Sequence, residues 1–333
     1  MNALSAGASL ANAAERSVTG FLTLAIGARD YISQAYYLGL SLRANMPGYP
    51  IAVVTDDETG ILAGVYDHLI PARQSLGRGV RQKMYIDQYT PFEETLFIDA
   101  DCIVARSFEH ELNEVRSFDF TPVVQRHLRT DDADEYFLDL PSLMRAFNLR
   151  SLPKFNGGVY FFRKSALSER VFESARRIQN DPASYGLKAF DSTGPGDEPA
   201  YALAMAQHGI SGYDDLGRLM RTPVGLRGKL TIDPTQGQCS FMRAEGLVTP
   251  AICHFAGDYR FLPEYYYARI ALERNCAVAA IPMHLKASTL VALMRQRAAR
   301  RLRWLRGSVE KRVARIFATI GMGSPSKTPE IRR

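Results

Sequence analysis

Phe21 to Ile26 is a short uncharged apolar run, the pattern of a strand buried on both faces. A helical pattern follows from about Tyr31 to Ala44 and stops at Pro47-Gly48. The apolar run returns at Ile51 to Thr55, ending at Asp56-Asp57. Arg81 to Tyr89 has helical spacing, and Thr95 to Ile98 predicts a strand that runs straight into Asp99. Strands alternating with helices predict an α/β fold on a mostly parallel sheet, and such sheets bind ligands at the carboxyl ends of their strands. Asp99 and Asp101 occupy one of those ends.

Further along, Asp131 to Leu152 mixes acids with apolar residues and predicts a helical insertion. Phe155 to Phe162 predicts a strand opening on Asn156-Gly157-Gly158. Gly194-Pro-Gly196 breaks the chain before Asp197-Glu198, and Pro199 to His208 has helical character. Ile252 to Gly257 is a further strand-to-loop edge. There are no internal repeats.

The chain has 333 residues, 46% hydrophobic and 23% charged, an ordinary balance for a folded protein with a sizeable core. Cys102, Cys239, Cys253 and Cys276 lie far apart with no C-x-x-C pair, which argues against a zinc ribbon or a dense disulfide scaffold. A reducing cytoplasm is the default reading. No stretch of about 18 uncharged apolar residues is present, and residues 1–20 lack the basic start of a signal peptide, so they read as a mobile leader.

The net charge of +6 is unevenly spread. Between Lys286 and Ala318 ten basic residues face Glu310 alone, a local charge of +9 that leaves −3 for the rest. From Leu290 to Ile320 apolar residues recur at helical spacing, with arginines on the other faces and Gly307-Ser308 predicted to kink or divide the helix. This is the pattern of an amphipathic helix on an anionic membrane surface. A helix packed on the body with an arginine-rich solvent face is the other reading. Nucleic acid is disfavoured, because no binding module accompanies the charge. The predicted organisation is therefore a leader (1–20), an α/β domain (21–285), a basic helical tail (286–320) and a disordered end (321–333).

Two carboxylates at i and i+2 at a strand end suit a hard divalent cation, magnesium or manganese, which can bridge carboxylate to diphosphate. If the chain stays extended through Ala100, Asp99 and Asp101 share a face. A solvated acid pair in a loop is the plainer alternative.

The order and spacing of several short pieces then resemble the glycogenin and lipopolysaccharide-galactosyltransferase family, the retaining family 8 glycosyltransferases with the GT-A fold. The pieces are Leu22-Thr-Leu-Ala25 with Tyr31, Lys83, Asp99-Ala-Asp101, Phe155-Asn-Gly-Gly-Val159, Gly196-Asp197-Glu198 and His254-Phe-Ala-Gly257-Asp-Tyr-Arg260. They cover most of Phe21 to about Tyr265. The resemblance implies a metal-dependent transfer of a hexose from a nucleotide-diphosphate sugar, a UDP-sugar by preference, to a hydroxyl on a glycan or lipid-linked acceptor. It implies retention of anomeric configuration, work in cell-surface glycan or lipopolysaccharide synthesis, and a peripheral location at the cytoplasmic face of the membrane.

Residue by residue, it implies that Thr23, Leu24, Ala25 and Tyr31 hold the nucleotide base, with the Tyr31 ring stacked on it. Asp99 and Asp101 bind the metal with His254 as third ligand, and Ala100 lies between them against the donor. Lys83 touches the donor, Asn156, Gly157 and Asp197 meet the sugar, and Gly257 lets backbone approach phosphate. Two positions depart from the family pattern. Arg260 stands where the family has lysine, keeping the charge with a different reach. Glu198 stands where the family usually has glutamine, so a carboxylate would face the anomeric carbon, as an electrostatic stabiliser or a nucleophile. Each has a structural alternative. His254 reads equally as a core histidine, Lys83 as a solvated helix lysine, Asn156 as a turn residue, and Glu198 as a carboxylate at a helix N-terminus. Asp56 and Asp57 are weaker candidates near the ribose. A sugar nucleotidylyltransferase and a non-catalytic membrane-surface protein with the same fold are the competing functions. The former lacks its Gly-rich basic loop, for which Ala25-Ile-Gly-Ala-Arg29 is a poor match.

Overall fold

Successive residues Phe21 and Leu22 point to opposite faces of strand β1 (Thr19–Ala25), and both are buried. That explains an unbroken apolar run: this strand has a core on each side. It takes in Thr19 and Gly20, which were assigned to the leader. The computed structural model describes residues 19–77, 79–190 and 194–319. The leader before Thr19 and the end beyond Thr319 lie outside the described residues.

Helix α1 (Arg29–Asn45) returns the chain, and β2 (Ile51–Thr55) pairs parallel to β1 from Phe21↔Ile51 to Ala25↔Thr55. Strand β3 (His68–Pro71) pairs parallel to β2. One helix was expected next, but there are two, α2 (Val80–Lys83) and α3 (Ile86–Tyr89). The break has a tertiary cause. The Lys83 carbonyl accepts from the Tyr201 hydroxyl at 3.3 Å, and the Met84 carbonyl accepts from Arg176 at 3.2 Å. These carbonyls therefore bond to side chains of distant elements. Strand β4 (Glu94–Ile98) then pairs parallel to the free side of β1. The chain has thus gone outward from β1 in one direction and come back on the other. The carboxyl ends of β1 and β4 form the switch point where open α/β sheets leave a crevice.

Beyond β5 (Cys102–Val104) and α4 (Glu109–Val115) come β6 (Phe120–Leu128), α5 (Leu140–Ala146), β7 (Leu152–Arg163), α6 (Ala166–Asn180), α7 (Asp197–Gln207) and the short β8 (Tyr213–Asp214). The main sheet has the order β3-β2-β1-β4-β7-β6-β8, with β7 antiparallel to both neighbours and the other pairs parallel. The mixed, mostly parallel α/β sheet flanked by helices is the fold class expected. One face packs Leu22, Val54, Phe97, Phe120 and Phe162 with residues of α6 and α7, and the other packs Phe21, Val53, Leu96 and Phe161 with residues of α1 and α4.

Two expectations need correction. The insertion 131–152 is helical only over α5, whose N-cap Asp139 accepts from the Ser142 amide at 3.0 Å. The preceding residues are instead held by an extended bridge, Phe137↔Leu187. Strand β7 begins at Leu152, so Asn156-Gly157-Gly158 lies inside it. There the register slips: Pro122↔Tyr160 is followed by Val124↔Phe155, so four residues of β7 stand opposite one of β6. The bulge takes Asn156 to Val159 out of the pairing with β6, while Val159 stays opposite Ile98 of β4.

The remaining strands are β9 (Met220–Arg221), β10 (Arg227–Asp233), β11 (Gln238–Arg243), β12 (Gly246–Val248) and β13 (Ile252–His254), followed by α8 (Pro263–Arg274). Strands β10 to β12 form an antiparallel sheet whose buried Leu230, Ile232 and Phe241 cluster with Phe255 and Tyr265. Strand β13 lies between β5 and β9, with His254 opposite Cys102. A second unit begins at Ile281, and its described residues include α9 (Met283–Thr319), one continuous helix through Gly307-Ser308, where a kink or a division was expected. No helix among the described residues is long and apolar enough to cross a membrane.

Candidate active site and metal centre

Asp99 leaves β4 with its amide bonded to the Gly158 carbonyl at 2.9 Å, and the Cys102 amide returns to the Asp99 carbonyl at 3.0 Å. The segment Asp99-Ala100-Asp101 is therefore a tight turn, so the condition of an extended chain through Ala100 is not met. Ala100 is buried beneath it. The turn feeds β5, whose pairing with β13 brings in His254 from more than 150 positions away, and the Phe255 amide bonds the Asp101 carbonyl at 3.0 Å. His254 Nε2 is 3.0 Å from Asp101 Oδ1 and 3.8 Å from Asp99 Oδ2.

The other ring nitrogen fixes the tautomer. His254 Nδ1 lies 2.5 Å from Asn156 Oδ1, which also accepts from the Gly158 amide at 3.1 Å. An amide oxygen has no proton to give, so Nδ1 is the donor and Nε2 is left facing the two aspartates. Asn156, expected at a sugar hydroxyl, has its carbonyl committed to the histidine. Gly158 is required by this contact, because a Cβ there would sit 2.4 Å from His254 Nδ1. Gly157 is required likewise: a Cβ there would be 2.8 Å from Asp197 Oδ2 and 2.9 Å from the Tyr160 hydroxyl oxygen.

Lys83, from the end of α2, is buried at the centre of the acids. Its ammonium is 2.9 Å from Asp99 Oδ2 and 3.1 Å from Asp197 Oδ2, and it donates to the Gly157 carbonyl. The rings of Phe97 and Tyr160 each lie 5.3 Å from it. Asp197 opens α7 and accepts from the Tyr160 hydroxyl at 2.6 Å, while Glu198 Oε1 accepts from the Gly157 amide at 3.1 Å. The solvated-lysine reading of Lys83 is excluded by its burial.

Four carboxylates here meet one ammonium and one imidazole, so the cluster carries excess negative charge. Burial, and next the Asp197 charge, push Glu198 up to about 7. Burial alone would lower the His254 value, but Asp101 and then Asp99 outweigh it and raise it. Asp101 is held below its usual range by His254 despite burial, whereas burial keeps Asp99 above it against the pull of Lys83. For Lys83 the penalty of burial is outweighed by Asp197 and Asp99, and its proton is held more tightly than usual.

The donor set fits a hard divalent cation. Oxygen and nitrogen atoms about 3 Å apart form the edge of an octahedron with arms of about 2.1 Å, the spacing of Asp101 Oδ1 and His254 Nε2. Cys102 also offers its sulfur within 4.8 Å of those two donors. Burial and the neighbouring Asp101 and Asp99 raise its thiol well above the usual range, and soft sulfur is a poor match for manganese or magnesium. A further hard oxygen is Asp99 Oδ2, 3.8 Å from His254 Nε2, although the Lys83 ammonium holds that same atom at 2.9 Å.

The remaining candidates lie along the same edge or apart from this cluster. Thr23 and Ala25 are buried within β1, Leu24 is half-buried, and Tyr31 in the first turn of α1 is 46% exposed. Asp56 accepts from the Gly27 amide at 2.9 and 3.1 Å, tying the ends of β2 and β1 together. Asp57 caps its own turn through the Thr59 amide. Gly257, at φ +59°, opens the turn that carries Arg260, whose Nε is buried without a hydrogen-bond partner among the described residues. Tyr160 was not anticipated, being invisible in a continuous apolar strand.

No protein-family model matches the sequence, and no curated protein matches it. Among solved structures the chain is similar to the apo form of WbbM, a bifunctional glycosyltransferase, at 12% identity over 78% of this chain and 52% of that one, with a TM-score of 0.47. It is similar to the galactosyltransferase LgtC in complex with donor and acceptor sugar analogues, at 12% identity over 71% and 87%, TM-score 0.45. A third is the glycosyltransferase GlyE from Streptococcus pneumoniae TIGR4, at 15% identity over 60% and 46%, TM-score 0.41. The chain spans about half the length of GlyE and WbbM.

Proposed function

We propose that residues 21–285 form a metal-dependent glycosyltransferase of the GT-A type, similar to family 8, that moves a hexose from a UDP-sugar to a hydroxyl acceptor with retention. The observation that carries this reading is His254 Nε2, turned by Asn156 toward Asp101 at 3.0 Å and Asp99 at 3.8 Å. These residues stand at the carboxyl end of β4, beside the switch point with β1, where α/β sheets bind nucleotides. Bound Mn2+ or Mg2+ supplies charge neutralisation for a leaving nucleoside diphosphate.

The chain's own groups divide the remaining work. Asp99, Asp101 and His254 hold the cation. Arg260, with a buried unpartnered Nε–H, supplies a second positive charge for phosphate. Lys83 fixes Asp99 and Asp197 relative to one another. Glu198, raised to about 7, ionises near neutrality and favours positive charge developing at the anomeric carbon. The acceptor proton passes to the departing phosphate oxygen. Residues 286–320 serve as a basic helix that brings the enzyme to an anionic membrane carrying its acceptor.

Manganese-dependent hydrolysis across a panel of UDP-hexoses tests this reading. Turnover lost on chelation and on His254→Ala supports it. Full turnover without metal overturns it.

A further inference from the structure

Strand β7 runs Val159-Tyr160-Phe161-Phe162 through the core, and Tyr160 has no exposed surface. A phenylalanine would fill this place as Phe161 and Phe162 fill theirs, and would bring no buried hydroxyl in need of a partner. The Tyr160 ring is wedged among those of Phe97, Phe120, Phe155 and Tyr201, at centroid distances of 6.2, 6.0, 5.9 and 5.0 Å. Four ring contacts fix where the hydroxyl stands. It stands 2.6 Å from Oδ2 of Asp197, in the first turn of α7. Burial first, and then the Asp197 charge, push the phenol well above its usual range, so it keeps its proton and donates.

The same oxygen of Asp197 meets the Lys83 ammonium at 3.1 Å. Two donors from different elements thus converge on Oδ2, and among the described residues no hydrogen bond takes Oδ1. The glycine at 157 keeps this arrangement possible, since a Cβ there would crowd both Oδ2 and the phenol oxygen. Asp197 is followed at once by Glu198, which the bulge holds through the Gly157 amide. A carboxylate pinned through one oxygen presents the other in a fixed direction, and discrimination between sugar epimers needs an acceptor fixed in that way.

We propose that Tyr160 is a positioning residue: with Lys83 it pins Oδ2 of Asp197, so that Oδ1 accepts from one ring hydroxyl of the donor hexose and selects for it. The inference rests on the reading that the chain transfers a hexose from a UDP-sugar.

The test uses the full chain with Mn2+, the UDP-hexose of the panel that turns over fastest, and analogues of it that each lack one ring hydroxyl. Tyr160→Phe keeps every ring contact and is expected to fold. Its kcat/KM for the UDP-hexose should fall roughly 10- to 100-fold, the usual effect of losing a hydrogen bond to a charged group. Its affinity for UDP, which carries no hexose, should stay within about twofold of wild type. Removing one particular hydroxyl from the donor should cost the wild type at least about tenfold in kcat/KM. The same removal should cost Tyr160→Phe and Asp197→Asn less than about threefold, because in both variants that hydroxyl has already lost its fixed partner. A merely structural role for Tyr160 would lower turnover of all the analogues alike. Analogue penalties in Tyr160→Phe equal to those of wild type, with the Asp197→Asn penalty reduced, overturn the inference and spare the reading of the chain as a glycosyltransferase. Loss of UDP affinity in folded Tyr160→Phe also overturns it, since the whole site has then shifted. No turnover of any UDP-hexose by the wild type overturns the function and the inference together.

Discussion

Asn156, Gly157 and Gly158 each have a separate physical task at one bulge. Asn156 selects the tautomer of His254, Gly157 leaves room for Asp197, and Gly158 lets the imidazole pack on the strand. Gly158→Ala should therefore displace the ring. The expected cost is about 1–3 kcal/mol of stability, as for other overpacked sites, and a roughly 10- to 100-fold weaker Mn2+ affinity, as for lost orienting partners. Thermal melts and calorimetric titration with MnCl2 check both. Glu198 gives a pH-dependent expectation whose sign follows from its position. The folded chain holds this proton up to about pH 7, while the unfolded chain releases it near 4.5. Stability therefore falls as pH rises through that window and stays lower above it. At about 1.4 kcal/mol per unit the loss approaches roughly 3 kcal/mol as an upper limit. Glu198→Gln should melt several degrees above wild type at pH 8 and level with it near pH 4.5. A difference of the opposite sign at pH 8 would show that the carboxylate is welcomed there.

At the scale of elements, what could be read from the sequence depended on how local the cause was. Strand β2 lies where its apolar run put it, from Ile51 to Thr55, because burial on both faces leaves a run no other explanation. The break between α2 and α3 could not be read, since it is made by Tyr201 and Arg176 from α7 and α6. The β7 bulge was half legible: Asn-Gly-Gly signalled irregular backbone, and its placement inside a longer strand came from pairing with β4 and β6. The Asp99 and Asp101 pair was legible as chemistry but not as geometry, because the turn that brings the carboxylates round depends on Gly158 and β13. Lys83 joins these pieces, bonding the residue after β4, the β7 bulge and the first residue of α7. Lys83→Met leaves the buried Asp197 and the half-buried Asp99 without their cation. It should lose about 3–5 kcal/mol, the usual cost of halving a buried ion pair, read from the shift in denaturant midpoint.

For the whole molecule, charge is partitioned. The segment from Lys286 to Ala318 carries +9 and the remainder −3. Binding of the full chain to vesicles with 30% anionic lipid should be strong at low ionic strength. Near 1 M salt, where screening acts within about 3 Å, it should fall by at least tenfold. Equal co-sedimentation with neutral vesicles would remove the membrane role of this helix and leave the α/β domain's chemistry untouched. That chemistry depends on His254 reaching a cation shared with Asp101 and Asp99. Pulsed electron paramagnetic resonance of Mn2+ bound to the protein with UDP addresses this contact directly. The expected result is a nitrogen modulation from one directly bound imidazole, present in wild type and abolished in His254→Gln. A manganese–UDP complex of the wild-type protein with no protein nitrogen coupled to the metal would contradict it.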